Sequence, residues 1–197
     1  MKKTFFLFLF FSKLAFSQSH FPIDTTYTVK SVYDKVKKDH PYISYVPARK
    51  YENVKEEKEI VYKKIKDRAL HLDSYYTKNK KPSPAIVIIH GGGWKSRNKS
   101  QMETFAIEMA SKNYSCFNIE FRLSPEAQYP AAIFDVKNAI QYIKKNARKF
   151  NVDTTKIAVL GCSSGAQMAS LIGTTNGKPA FEDSNNNVKF SSKVNNC

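Results

Sequence analysis

Ser163 is the centre of Gly161-Cys162-Ser163-Ser164-Gly165, a run that directly follows the apolar stretch Lys-Ile-Ala-Val-Leu (156–160) and directly precedes a second apolar stretch (166–172). A serine exposed at a sharp strand-to-helix turn must hold an unfavourable backbone conformation. Glycines two residues to either side take away side chains that would collide across such a turn. The helix that starts there aims its free amides and positive dipole end at developing negative charge. A hydroxyl in that setting is suited to nucleophilic attack. The five letters alone are weak evidence, because a Gly/Ser turn without chemistry has the same composition.

A second group sharpens the reading. His90-Gly91-Gly92-Gly93-Trp94 closes the apolar run Ala-Ile-Val-Ile-Ile (85–89). Successive glycines let backbone N–H groups approach a ligand with no Cβ in the way, and acyl transfer needs preorganised donors for a tetrahedral oxyanion. The competing reading is a flexible loop. His90 precedes the glycines and is better placed to brace the loop than to act as a base.

These residues need elements to hold them. Residues 85–89 and 156–160 are continuous and β-branched, as expected for strands buried on both faces of a parallel sheet. A helix is expected over 99–112 and a strand over 115–121. Ile133, Val136, Ile140, Ile143, Ala147 and Phe150 recur at steps of three and four, which makes one apolar helical stripe, with Pro130 at its start. Residues 59–65 and 69–76 are β-prone and separated by Lys66-Asp67-Arg68, which predicts an antiparallel hairpin at a sheet edge. Residues 24–50 contain Pro41 and Pro47 and read as a lead-in with one short helix. Strand and helix alternating in this way define an α/β class with right-handed crossovers, and ligands then bind beyond the carboxyl ends of the strands, where both motifs sit.

Together the two motifs resemble the α/β-hydrolase superfamily, and within it the esterase/lipase branch with an H-G-G-G-W loop, which includes hormone-sensitive-lipase-like, acetyl and feruloyl esterases. Phe121-Arg122-Leu123-Ser124-Pro125, Tyr129-Pro130-Ala131-Ala132 and Asp135 fit the same branch. The resemblance covers about 58–173 and implies a mostly parallel sheet with an antiparallel N-terminal strand pair. It implies Ser163 as nucleophile, with the amides of Ser164, Gly92 and Gly93 as oxyanion donors. Arg122 and Asp135 become a structural brace, and Trp94 lines the acyl pocket or simply packs. No metal or organic cofactor is implied. The expected substrate is a carboxylic ester, short-chain or polysaccharide-linked; an amide hydrolase of the same fold and a non-catalytic binding relative are the alternatives. Cys162 stands where many members carry an acid, and Ala166 where many carry glycine.

The triad of this branch runs Ser, acid, His along the chain. After Ser163 the only acids are Glu182 and Asp183, read as solvated loop residues, and the four histidines (His20, His40, His71, His90) all lie upstream. The acid, the base and the C-terminal strands are therefore expected beyond Cys197, with 190–194 as lead-in to the next strand and the 156–160 strand left as an open edge.

Composition bounds the rest. With 197 residues, 42% of them hydrophobic, the chain suits one domain. Residues 1–17 read as a signal peptide, from Lys2 and Lys3 through the Phe-rich run to Ala15 and Ser17, so that Gln18 starts a secreted or periplasmic chain without a membrane anchor. Three cysteines, Cys116, Cys162 and Cys197, leave at least one unpaired, form no framework and read as unrelated. The net charge of +15 raises nucleic acid or acidic polysaccharide as partners, but no nucleic-acid motif accompanies it and lysines such as Lys35, Lys63, Lys80 and Lys81 look scattered and solvated. The division expected is leader (1–17), lead-in (18–57) and hydrolase domain (58–197).

Overall fold

The computed structural model describes residues 26, 28–184, 186 and 189–195. The leader expected at 1–17 and Cys197 lie outside them.

The lead-in does contain one helix, α1 (Val29–Asp39), which starts on a reciprocal cap between Thr28 and Ser31 and buries none of its residues. The hairpin follows as β1 (Lys55–Ile65) and β2 (Arg68–Tyr76), its first strand starting earlier than the apolar pattern indicated. The remaining elements are β3 (Ser83–Ile89), α2 (Glu103–Ser111), β4 (Ser115–Ile119), α3 (Ala131–Lys145), β5 (Val152–Gly161) and α4 (Ser164–Thr174). The helix expected from residue 99 begins as a 3₁₀ turn over Lys99–Met102. In α3, Pro130 occupies the cap and the α-helix stops at Lys145, so Phe150 reaches the core from the turns beyond.

The sheet order is β1-β2-β4-β3-β5. β1 with β2 and β2 with β4 are antiparallel, whereas β4 with β3 and β3 with β5 are parallel. The continuous apolar run of β3 has the reason expected of it. Ala85, Val87 and Ile89 enter the core beneath α3 and α4, while Ile86 and Ile88 enter a second core with Ala106, Ile107 and Ala110 of α2. Each fully buried Val or Ile stabilises the fold by about 1.5–3 kcal/mol, so the strand that carries the glycine loop is firmly held.

Residues 190–194, expected as a strand lead-in, form no ladder. Side chains from other elements tie this segment and Asn195 to the fold. Asn176 exchanges two hydrogen bonds with the backbone of Val194 (2.8 and 3.0 Å). The amide of Asn195 donates to the Ile157 carbonyl at 2.8 Å, and its side-chain oxygen accepts from the Ile157 amide at 3.0 Å. The outer edge of β5 is thus capped at its centre rather than bare.

Candidate active site

The turn at Ser163 is built from backbone that touches backbone. Ser163 has φ 53° and ψ −118°, a region costing about 1–3 kcal/mol for a residue with a side chain. Its surroundings leave no relaxed alternative. The Cys162 amide donates to the Ile89 carbonyl (3.2 Å), and the Ser163 carbonyl accepts from Ala166 (2.9 Å) and Gln167 (3.3 Å). A Cβ on Gly161 would lie 2.1 Å from the Gly165 carbonyl, and one on Gly165 would lie 2.3 Å from the Ile89 carbonyl oxygen. Both flanking glycines are therefore obligatory for α4 to start against β3. Ser163 itself stays exposed, and Ser164, the first residue of α4, is buried.

The glycine loop meets this turn directly. Gly91, not among the expected oxyanion donors, makes the contact: a Cβ there would stand 2.8 Å from the Cys162 carbonyl oxygen and 3.3 Å from the Ser163 Cβ. Its amide donates to the Gln101 Oε1 at 2.9 Å. Gly92 has φ +122°, and any Cβ would strike the Ser96 carbonyl oxygen at 2.2 Å. The Gly92 carbonyl in turn accepts from the Lys95 and Ser96 amides and from the Ser96 hydroxyl. Gly93 (φ +60°) and Trp94 (φ 59°) follow in the left-handed region, with open space around Gly93. The structure thus brings Gly92, Gly93, Ser163 and Ser164 to one end of the sheet, joined through Gly91.

His90 braces the loop, as its position suggested. It is buried, stacks on Phe121 with ring centroids 4.4 Å apart, and its Nδ1 lies 2.7 Å from the Gly91 carbonyl oxygen. A carbonyl can only accept, so Nδ1 carries the proton. Burial pushes the imidazole below its ordinary pKa, which keeps it neutral. Among the other described histidines, His71 is held at 2.9 Å by Glu120, and His40 lies beside Tyr42 on the surface.

Arg122 and Asp135 form the expected brace. The guanidinium donates twice to the fully buried carboxylate (2.8 and 2.9 Å), which also accepts from the Arg122 amide. Two residues on, the Ser124 amide donates to the Trp94 carbonyl at 2.8 Å, so the brace reaches the glycine loop. The network is larger than the sequence showed. Lys63 of β1 joins Asp135 (3.2 Å) to Asp183 (2.9 Å), and Asp183 also accepts from Asn138. Glu182 accepts from the buried Lys137 at 2.9 Å and from Ser192. Glu182 and Asp183 are therefore not solvated loop acids, and Lys63 is not a free surface lysine. Unpaired, Lys137 could not be buried, since charged groups go inside only with partners.

Beside the turn lies a cavity of about 440 Å³, whose lining includes Gly93, Trp94, Tyr129, Ile133, Met168 and Leu171. It is mainly apolar, and it opens where the glycine loop and the second turn of α4 converge. Trp94 is part of that wall. Cys116 is buried, with its thiol pushed up to about 12 by burial, and Cys162 is exposed; both are free thiols. Among the described residues no His/Cys/Asp/Glu group could hold a metal, and no helix is long and apolar enough to cross a membrane.

A strained serine between a parallel strand and its helix, touching a glycine loop on the adjacent strand, is the arrangement of the α/β-hydrolase fold. The family model BD-FAE matches residues 72–197, and the chain belongs to that family. Esterase LipC of Mycobacterium tuberculosis is 33% identical over 104 residues, 52% of this chain and 26% of its own. Among solved structures, Thermogutta terrifontis esterase 2 phosphonylated by cyclosarin superimposes with TM-score 0.63 at 26% identity, covering 71% of this chain and 53% of that one. An acetyl ester-xyloside bifunctional hydrolase from Caldicellulosiruptor lactoaceticus gives 0.57 at 30% identity, covering 65% and 47%. The chain spans about a quarter of LipC and about half of these two structures.

Proposed function

We propose that this protein hydrolyses carboxylic esters through an acyl-enzyme on Ser163. The observation that carries the reading is the contact between Gly91 and Ser163, which sets a run of glycine amides beside an exposed hydroxyl held in a strained conformation. Attack by the Ser163 Oγ on the ester carbonyl places the new oxyanion where the amides of Gly92, Gly93 and Ser164 can donate to it. The base that takes the serine proton, and the acid that orients it, come from outside the described residues, since His40, His71 and His90 are committed elsewhere. Water then releases the acyl group. The apolar cavity between Gly93 of the loop and Gln167 of α4 accepts a short acyl or alcohol portion, and likeness to an acetyl ester-xyloside hydrolase supports polysaccharide-linked acetyl groups as one source of it.

In the active enzyme, Ser163→Ala is expected to lower p-nitrophenyl acetate turnover by about a million-fold while the fold survives. A folded Ser163→Ala protein that keeps substantial turnover overturns the reading. Export belongs to the same proposal. The mature protein recovered from periplasm or medium should begin at Gln18 by N-terminal mass spectrometry, and soluble protein retaining Met1 overturns it.

A further inference from the structure

Lysines that look scattered along the chain are gathered by the topology. Because β3, β4 and β5 are parallel, the loops entering them lie at one end of the sheet, opposite Ser163. Those loops are 77–82, 112–114 and 146–151. Between them they hold Lys78, Lys80, Lys81, Lys112, Arg148 and Lys149, all six exposed, and no acid. The carboxyl-end loops differ: residues 90–98 hold Lys95 and Arg97, but residues 120–130 hold Glu120 and Glu126 against Arg122. The acids near the amino end are few and taken. Glu57 binds Lys55 and Lys149 (2.8 Å each), and Asp153 binds Thr155 and lies 3.4 Å from Lys156.

Mutual repulsion should drive six such loop cations apart, yet the loops are tied together. The Asn79 Nδ2 donates to the Asn113 Oδ1 at 3.0 Å, and the Asn151 Nδ2 donates to the Thr77 carbonyl at 3.0 Å and to the Lys81 carbonyl at 3.3 Å. The Ser83 amide donates to the Asn151 carbonyl at 2.8 Å. Uncharged amides fix the loops, and of the six cations Lys149 is paired, with Glu57. Between them lies a concavity of about 480 Å³ whose walls include Lys55, Lys78, Asn79, Arg148, Lys149 and Asn151.

We infer that this end of the molecule is a docking surface for an acidic polysaccharide, with one carboxylate-bearing sugar seated in the concavity between Lys78 and Arg148. The class of polyanion follows from what the platform offers. Single-stranded nucleic acid binds by stacking on aromatic rings, and amphipathic membrane binding buries apolar side chains in the interface. None of the exposed large hydrophobic residues lies in the three loops; Phe150 and Tyr76, which lines the concavity, are buried, and Tyr114 is half-buried. Duplex readers insert a helix or ribbon into a groove, whereas these three loops contain neither helix nor strand. A flexible chain of spaced carboxylates needs only fixed cations and amide donors. Such a surface holds the enzyme on its polymer while the opposite end of the sheet stays free for esters. The inference does not depend on the chemistry at Ser163.

The test is affinity electrophoresis of the 197-residue chain in gels containing polygalacturonate, with neutral xylan as reference. Retardation is expected on polygalacturonate only, and should fall steeply with added salt. Lys78→Gln/Lys80→Gln/Lys81→Gln should weaken it roughly tenfold, and Arg148→Gln alone should weaken it severalfold. Lys35→Gln/Lys38→Gln/Lys66→Gln, which removes equal charge elsewhere, should change it less than about twofold. Circular dichroism checks that each variant is folded. Equal losses in the two triple variants, no retardation on polygalacturonate, or tighter binding to a single-stranded oligonucleotide or to phosphatidylserine vesicles overturns the inference. Retained binding by Ser163→Ala keeps the outcome separate from that of the esterase reading.

Discussion

At the carboxyl ends of β3 and β5 the chain turns on glycine and on residues at positive φ, namely Gly92, Gly93, Trp94, Arg97 and Ser163. At the amino ends of the same sheet the left-handed residues are Asn113 and Asn151, and the loops are joined by their side-chain amides. The first end is built by removing side chains, so that backbone meets backbone within van der Waals limits. The second is built by adding side chains that bridge gaps. The first kind of contact cannot be adjusted, because a carbonyl in a buried strand has nowhere to go. The second kind can be lost one bond at a time. Chemistry that depends on amide positions belongs at the rigid end, and recognition by charge is served well enough by the other.

The sharpest way to break this comparison is to add one methyl group at each of two glycines. In Gly165→Ala the Cβ would fall 2.3 Å from the Ile89 carbonyl oxygen and 2.6 Å from that of His90, so α4 must move off β3. The expected loss is about 3 kcal/mol or more. In Gly93→Ala no atom lies within 4 Å of the new Cβ, and only the positive φ opposes it, at about 1 kcal/mol. Urea denaturation of both variants decides the matter. Equal losses would show that close approach at Gly165 costs no more than positive φ does at Gly93, and that α4 can yield there.

A smaller contrast concerns charge. Asp135 is fully buried and takes Arg122 and Lys63 together, whereas Glu57, at the amino end, is partly solvated. Lys149, Lys55 and the Tyr76 hydroxyl hold the Glu57 carboxyl at about 2. Its contribution is complete above the ordinary carboxylate range and disappears as pH falls toward that value. At neutral pH, Asp135→Asn should cost about 3 kcal/mol, because it leaves two cations short of a buried partner. Glu57→Gln should cost about 1 kcal/mol or less. Thermal unfolding at pH 7 measures both, and a Glu57→Gln loss matching that of Asp135→Asn would erase the distinction.

Much of the first end was legible in the sequence, and the reason is physical. Close backbone approach can be made only with glycine, so Gly161, Gly165 and the run Gly91 to Gly93 report the geometry through residue type. Strands buried on both faces must be continuously apolar, which is why 85–89 and 156–160 stood out. What escaped depended on partners distant in sequence. Nothing local marks Gln101 as the acceptor for the Gly91 amide, or Ser124 as the tie to Trp94. Glu182 and Asp183 sit in a polar stretch that reads as solvent-facing until Lys137 and Lys63 are brought to them. The amino-end platform was invisible for the same reason: its six cations span residues 78–149, and only parallel strand order assembles them.

The smallest expected effect is at Asn151, and it separates the two things an asparagine does there. Its φ of 55° lies in the left-handed region, which asparagine tolerates better than most residues and glycine better still. Its Nδ2 also joins the loop entering β5 to the loop entering β3, through the carbonyls of Thr77 and Lys81. Asn151→Gly keeps the backbone conformation without strain and removes only those hydrogen bonds, both of them partly exposed to water. A loss of about 1 kcal/mol is expected. Asn151→Ala removes the same bonds and adds the strain of a Cβ at positive φ, so about 2 kcal/mol is expected in all. Urea midpoints of the two variants give the difference directly. If Gly and Ala cost the same, φ contributes nothing at this end, and the side-chain amide is the whole of the contact. If Gly costs nothing, the amide bridge is idle and the platform owes its shape to backbone conformation alone, which would make the two ends of the sheet alike.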